Sequence, residues 1–268
     1  MHRGHAFSAL TAHQAARRTG GRFLLRIEDI DTARCRPEFE VAILEDLRWL
    51  GLSWEEPVMR QSERAAAYAR MLQSLRDRGL LYRCFRTRRD ILEDIARAPH
   101  GPAEPLAPGP LPKGEEARML AEGLPFAWRL SLVAAREALG SFSSLTFQEE
   151  GSGPGGQHGL IAADPGLAGD VVLARKDLGV SYHLAVVVDD AAQGVTHVIR
   201  GEDLIAAAHV QRLLQALLDL PTPIYRHHRL LLRSDGKRFA KRDTAETLSD
   251  LRAKGVTPEA LRAEMGLT

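Results

Sequence analysis

Apolar residues recur at helical spacing in several stretches of this 268-residue chain. In residues 36–54, Phe39, Ile43 and Leu47 fall near one face and Gly51 follows, which predicts an amphipathic helix that stops at the glycine. The same spacing predicts helices over residues 62–79, 87–98 and 204–220, and two short helices at the end of the chain. Thr87 is the predicted cap of the second of these.

Short apolar runs bounded by glycine, proline or charged residues predict strands between the helices. They lie within residues 23–27, 80–85, 170–177, 181–191, 196–204 and 223–233. Because strands alternate with helices along the chain, the pattern favours an α/β fold with a core sheet that is largely parallel.

A proline-rich stretch interrupts this pattern. Residues 99–114, PHGPAEPLAPGPLPKG, contain six prolines. Proline has no backbone N–H to donate and fits neither a helix interior nor a central strand, so we predict an extended surface segment. The glycine-rich stretch EEGSGPGGQHG, at residues 149–159, predicts a second flexible connection.

Composition narrows the class of protein only a little. The chain is 44% hydrophobic and 26% charged, with a formal net charge of +1, so its overall charge does not indicate a nucleic-acid binder. It has two cysteines, Cys35 and Cys84, too few for a disulfide framework. No apolar run approaches the roughly 20 residues that span a bilayer, and no leader-like segment is present. These features predict a cytoplasmic protein without a membrane partner.

The first candidate for chemistry is the His-x-Gly-His pattern formed by His2, Gly4 and His5. A helix predicted to start at His5 would add free backbone N–H groups to the two imidazoles, which suits a nucleotide phosphate. Gly4 leaves room for an adenine or ribose. Two surface histidines could also meet by chance, and nucleotidylyltransferases use a similar pattern.

Acidic residues follow the first predicted strand, in the stretch RIEDID. Carboxylates at the end of a strand can hold an ammonium group, and Glu28 is the stronger candidate. We interpret Asp29 and Asp31 as surface acids or helix caps.

A third group lies between residues 179 and 204. Tyr182 offers a ring and a hydroxyl, and Arg200 is predicted to emerge at a strand end, where its guanidinium fits a carboxylate. The alternative for Arg200 is a structural ion pair with a neighbouring acid. We interpret Asp189 and Asp190 as turn formers or caps, and Asp203 as the N-cap of the next helix.

The fourth group is a basic loop, SDGKRFAKRD, with Lys237, Arg238, Lys241 and Arg242. Mobile cations of this kind can close over a triphosphate and stabilise departing pyrophosphate. A solvated basic turn is the alternative.

Together, HRGHAFSAL, GGRFLLRIEDID, SYHLAVVVDD, THVIRGEDL and DGKRFAKRD resemble, in order and spacing, the catalytic domain of class I glutamyl-tRNA synthetases. The resemblance covers nearly the whole chain and is strongest to the short relatives that lack an anticodon-binding domain. It implies a Rossmann-like core with an insertion. The implied division is residues 1–88 and 126–232 for the two catalytic halves, 89–125 for the insertion, and 233–268 for the loop and last helices.

The resemblance also implies an activity. ATP, carried with Mg²⁺, would activate L-glutamate to glutamyl-adenylate without tRNA. Glutamate would then pass to the queuosine base in the anticodon of tRNA(Asp), and the enzyme would be a monomer.

Individual residues carry over from the family's motifs. His2, Gly4 and His5 match its HIGH signature, and 238–242 matches its KMSKS-like signature, with Lys241 on the phosphate-binding lysine. The resemblance thus implies that His2, His5 and Lys241 are catalytic. It also implies that ATP is bound by these three residues together with Gly4 and Arg238. Glu28, Tyr182 and Arg200 match glutamate-binding positions.

Two departures from the family's pattern stand out. A strand with an arginine and a serine that help to bind glutamate normally precedes the HIGH signature. Here the first strand is missing, so we expect the natural start to lie upstream of Met1. Many members also hold zinc through Cys-x-Cys and later ligands. Here Cys84 remains but Arg86 takes the second position, and one thiolate cannot make a four-coordinate site, so we predict no structural zinc.

The sequence leaves two other functions open. One is a catalytically impaired synthetase-like module that keeps nucleotide or tRNA contacts, which the missing strand favours. The other is a small-molecule nucleotidylyltransferase of related fold, which the RIEDID and VIRGEDL stretches disfavour.

Overall fold

The structure is a computed structural model that describes residues 1–31, 34–86, 108–175, 179–231 and 246–267. The helix predicted over 87–98, with its cap at Thr87, lies outside these residues. So do most of the proline-rich stretch and the basic loop with Lys237, Arg238, Lys241 and Arg242.

Helices and strands alternate through most of the described chain. The helices are α1 (Arg3–Arg18), α2 (Pro37–Trp49), α3 (Ala65–Asp77), α4 (Lys113–Ala121), α5 (Leu132–Leu139), α6 (Tyr182–Gln193), α7 (Ile205–Leu217), α8 (Leu248–Ala253) and α9 (Pro258–Glu264). The strands are β1 (Leu24–Ile27), β2 (Glu55–Arg60), β3 (Leu81–Cys84), β4 (Ala127–Leu130), β5 (Thr146–Glu149), β6 (Gly159–Ala162), β7 (Val172–Arg175), β8 (Gly179–Val180), β9 (His197–Gly201) and β10 (Ile224–His228). Short 3-10 helices cover Gln61–Arg64, Pro165–Ala168 and Glu202–Leu204.

The strands form three sheets. β1 pairs with β2 in parallel, and a second sheet has the order β6-β5-β10-β9, in which β10 runs parallel to both β5 and β9. The third sheet, β3-β4-β7-β8, is antiparallel throughout. The parallel pairs confirm the predicted α/β class. β1 and β9 are both edge strands, so none of the described strands joins the two sheets that contain parallel pairs.

Two hydrophobic cores hold these layers together. The larger core packs α3, α6 and α7 against β5 and β10, with side chains such as Leu184, Leu214 and Tyr225 almost fully buried. The smaller core joins α1 and α2 to the last two helices through residues such as Leu10, Leu47 and Leu248. The smaller core therefore brings the two ends of the described chain together.

One predicted strand is a helix. Residues 181–191 were expected to be extended because of their apolar β-branched run, yet α6 runs from Tyr182 to Gln193. Ser181 is the extended N-cap residue, and Gly194 ends the helix in the left-handed conformation. The helix is buried on nearly all sides between Leu184 and Asp189, since α3, α7 and β7 pack around it. A helix that is apolar all round loses the periodicity that would have identified it.

Two smaller predictions also differ from the structure. α1 begins at Arg3 instead of His5, so Gly4 and His5 lie within its first turn. Phe39, expected on the buried face of α2, is 53% exposed. In the part of the chain that the structure describes, no helix combines the length and the apolarity needed to cross a bilayer.

Candidate active site

The histidines of the His-x-Gly-His pattern lie at the N-terminus of α1. His2 is the N-cap residue, and its imidazole stacks on that of His5 with the ring centroids 3.6 Å apart. The backbone N–H of His2 donates to His5 Nδ1 at 3.3 Å. Both rings are therefore held beside the first turn of α1, where the helix dipole favours an anion.

A cavity of about 380 Å³ opens at this end of α1. Its walls come from three parts of the chain: the first turns of α1, the end of β9, and the end of β10. The lining residues are His2, Gly4, His5, Phe7, Ser8, Gly201, Asp203, His228, Leu230 and Leu231. His228 Nε2 lies 3.0 Å from Ser8 Oγ and so ties β10 to α1. Ligands of open α/β folds bind at such carboxyl ends of parallel strands.

The residues on either side of segment 232–245 lie next to this cavity. Leu231 lines the cavity wall on one side of the segment. On the other side, Thr247 forms a β-bridge with His2, and Glu246 accepts a hydrogen bond from the Arg3 guanidinium at 2.8 Å. The segment that carries Lys241 is therefore bounded at both ends by residues beside the first turn of α1.

The three predicted glutamate-binding residues lie close together. Arg200, 8% exposed near the end of β9, points its NH1 group at the Tyr182 hydroxyl at 3.4 Å. Burial raises the pKa of Tyr182; the charge of Arg200 opposes that rise and the charge of Glu28 adds to it. Glu28 is therefore within electrostatic range of the hydroxyl, and it also accepts a hydrogen bond from Arg26 at 3.1 Å.

This charged cluster adjoins the cavity through neighbouring residues. Arg200 directly precedes Gly201, which lines the cavity. His227, which contacts Arg200, directly precedes His228, which also lines the cavity. His2, Gly4 and His5 line the cavity, whereas Arg200, Tyr182 and Glu28 form a separate cluster that adjoins it at Gly201. Lys241 and Arg238 lie outside the described residues.

The prediction for Asp189 and Asp190 is wrong, since neither forms a turn or a cap. Both lie inside α6. Asp189 is fully buried and accepts hydrogen bonds from Gln61 at 2.9 Å, from Arg64 at 2.5 Å and from the Tyr68 hydroxyl at 2.7 Å. These contacts tie α6 to α3 and to the short helix before it.

Asp190 instead pairs with Arg26, with the NH1 to Oδ1 distance 2.7 Å. Burial raises the pKa of the Asp190 carboxyl, and Arg26 opposes the rise. This pair anchors the end of β1, and therefore Glu28, to α6.

The prediction for Asp203 is also wrong: the N-cap of α7 is Leu204, while Asp203 lies in a 3-10 turn and lines the cavity. Asp29 and Asp31 have structural contacts. Asp29 accepts hydrogen bonds from the backbone N–H and hydroxyl of Ser62, and Asp31 forms an ion pair with Arg34 at 3.3 Å.

Two buried residues beside Arg200 were not identified from the sequence. Glu149 and His227 are 0% and 1% exposed, and His227 contacts Arg200. Glu149 stood out only as one acid in a glycine-rich stretch, and His227 as one of two adjacent histidines, so no local signal pointed to either.

The described residues do not provide a set of side chains that could ligate a structural zinc ion. In the described ranges, no three His, Cys, Asp or Glu side chains are grouped so that they could hold a metal ion. Cys84 is buried on β3, and a single thiol falls short of four-coordinate zinc. Because residues 87–107 lie outside the described part, the absence of zinc stays a prediction.

The chain belongs to the class I tRNA synthetases. Residues 1–102 and 157–268 match the family model for the class I (E and Q) tRNA synthetase catalytic domain. This family of ligases uses ATP as a substrate. The expected fold class and family are thereby confirmed.

Individual relatives narrow the comparison. A protein of Rhodobacter capsulatus named Glutamyl-Q tRNA(Asp) synthetase is 48% identical over 274 residues, which cover 100% of this chain and 96% of that protein. A protein of the same name from Nocardia farcinica is 43% identical over 265 residues, 98% of this chain and 79% of its own length. The crystal structure of glutamate-tRNA synthetase from Elizabethkingia anophelis superimposes with a TM-score of 0.78 at 25% identity, and this chain covers 59% of it.

Proposed function

We propose that this protein is an ATP-dependent ligase that activates L-glutamate and transfers it to the queuosine base of tRNA(Asp). The α-carboxylate of glutamate attacks the α-phosphate of ATP, which forms glutamyl-adenylate and releases pyrophosphate. The adenylate then transfers its glutamyl group to queuosine and releases AMP. Family membership supports the first step, and the names of the relatives support the acceptor. We expect the enzyme to act in the cytoplasm and as a monomer.

Two parts of the chain are proposed to contact the phosphates of ATP: the first turn of α1 and the segment with Arg238 and Lys241. His2, His5 and the N–H groups of the first turn of α1 stabilise negative charge as it builds on the α-phosphate, and Gly4 lets the nucleotide approach. Arg238 and Lys241 would close over the phosphates with the accompanying Mg²⁺. The main support is that Leu231 and Thr247, on either side of their segment, lie against the cavity and His2 respectively.

Glutamate recognition is assigned to the adjoining charged cluster. The guanidinium of Arg200 and the hydroxyl of Tyr182 bind a carboxylate of glutamate, while Glu28 binds its ammonium group. The positive charge of Arg200 and the negative charge of Glu28 together suit an amino acid, which carries both a carboxylate and an ammonium group.

The first test is glutamate-dependent ATP–pyrophosphate exchange in the absence of tRNA. The purified protein should exchange, and Lys241→Ala should lower kcat roughly 100-fold or more because one cation that stabilises the transition state is lost. Lys113→Ala, on exposed α4, is the matched control and should exchange normally. Absence of exchange in the unaltered protein would favour the catalytically impaired alternative.

The acceptor is tested separately with labelled glutamate. We expect label on tRNA(Asp) that carries queuosine, and none on tRNA(Asp) made without queuosine or on tRNA(Glu). Labelling of tRNA(Glu) alone would contradict the proposed acceptor and leave the activation step intact.

A further inference from the structure

Three neighbouring strands place a glutamate, a histidine and an arginine side by side. β10 lies between β5 and β9, and His227 on β10 is in register with Arg200 on β9. Glu149, at the end of β5, reaches His227 from the other side. The three side chains are 0%, 1% and 8% exposed in the order Glu149, His227, Arg200, so they form a continuous buried row.

The hydrogen bonds within this row define its protonation. The Arg200 Nε–H group lies 3.1 Å from His227 Nε2, and since a guanidinium only donates, Nε2 must accept. The imidazole is therefore neutral, with its proton on Nδ1, which donates to Glu149 Oε2 at 2.5 Å. Burial lowers the pKa of His227, which favours the same neutral form.

Glu149 is itself firmly held. Its Oε1 accepts from the backbone N–H of His227 at 2.8 Å and from that of Gly151 at 2.7 Å. A carboxylate fixed by two backbone donors can fix the ring plane and the tautomer of the histidine beside it.

The remaining contacts of Arg200 leave one edge directed at the proposed glutamate site. Its NH2 group donates to the Leu204 carbonyl at 3.2 Å, and the guanidinium lies over the Tyr225 ring at 5.2 Å. The Tyr225 ring also stacks on His227. Only NH1 faces Tyr182.

We propose that Glu149 and His227 are positioning residues that hold the Arg200 guanidinium so that its NH1 edge meets the carboxylate of bound glutamate. This inference rests on the proposed function, in which Arg200 binds that carboxylate. Neither residue touches the substrate; both act through the orientation of Arg200.

A matched pair of amide variants separates orientation from packing. In His227→Asn the amide NH₂ can replace Nδ1–H toward Glu149, but nothing accepts from Arg200. In His227→Gln the longer side chain can bring its carbonyl oxygen to the position of Nε2. We expect His227→Asn to raise the KM for glutamate roughly 10- to 100-fold, the equivalent of one lost hydrogen bond to a charged group. We expect His227→Gln to restore most of the affinity, and the KM for ATP to stay within about twofold in both.

The control is His209→Ala on α7, a histidine that packs on Phe147 and accepts from the Asp164 N–H but lies outside the cavity lining. It should lose stability without a change in the KM for glutamate. The positioning role would be overturned if His227→Asn and His227→Gln had the same KM for glutamate. It would also be overturned if His227→Asn raised the KM for ATP as much as the KM for glutamate.

A second measurement does not depend on activity. The ¹⁵N shifts of His227 should report a neutral ring protonated at Nδ1, and Glu149→Gln should move the proton to Nε2 because the amide then donates to Nδ1. An unaltered protein with the proton on Nε2 would overturn the inference. Failure of glutamate-dependent exchange with the Nδ1 tautomer present would instead overturn the proposed function.

Discussion

At the scale of single residues, buried charges organise this protein more than its surface charges do. Asp189 and Glu149 are carboxylates that accept from three donors each, Asp190 pairs with Arg26, and each of the three joins elements distant in sequence. Removing one partner from such a group leaves buried donors without an acceptor, which costs more than the net contribution of the original contact.

Asp189→Asn should therefore destabilise the protein. Asn has one acceptor oxygen and no charge, whereas Asp189 faces Gln61, Arg64 and the Tyr68 hydroxyl. Because Arg64 is 23% exposed and can still reach water, we expect a loss of about 2–4 kcal/mol in the free energy of unfolding, measured in urea. Asp77→Asn, at an exposed position of α3, should change it by less than about 0.5 kcal/mol. A similar small effect at Asp189 would contradict its structural role.

At the scale of elements, the site depends on how closely the ends of β5 and β10 approach each other. A Cβ at Gly151, just after β5, would lie 2.1 Å from the His227 carbonyl oxygen and 2.7 Å from its backbone nitrogen. Backbone atoms of a central strand cannot easily move aside, so only glycine fits here.

Gly151→Ala should destabilise the protein by about 1–3 kcal/mol through overpacking, and it should also weaken the hold on Glu149. The matched control is Gly114→Ala in α4, where a Cβ meets nothing within 4 Å. That change should stabilise the helix by up to about 1 kcal/mol. Thermal unfolding of both variants measures the difference. Equal melting temperatures would contradict the prediction, because they would show that the backbone around Gly151 can make room for a Cβ.

Prediction from sequence succeeded where amphipathic periodicity or strand ends carried the signal. α2 and α7, the parallel strands β9 and β10, and the two short helices at the end all follow from local pattern. It failed at α6, because burial on every side removes periodicity. It also failed for Asp189 and Glu149, whose partners lie on other elements and leave no local signal.

At the scale of the whole molecule, the site is assembled from distant parts of the chain. His2, Gly201, His228 and Leu231 share one cavity although they come from both ends of the sequence. They converge because α1 contacts β9 and His228, and because the smaller core packs α1 against α8 and α9 with Leu231 at its margin. Local sequence patterns identified most of the candidate site residues. Only the family resemblance predicted that these residues lie together in the folded chain, because local periodicity does not encode long-range contacts.

In the proposed function, the α1 histidines, the segment with Lys241 and the Arg200 cluster surround one glutamyl-adenylate. The most direct test is a crystal structure of the protein with a non-hydrolysable glutamyl-adenylate analogue. We expect the group that replaces the phosphate to lie between His5 and Lys241, and the glutamate carboxylate to lie on Arg200. An analogue bound elsewhere, or His5 and Lys241 on opposite faces with no cleft reaching Arg200, would contradict it.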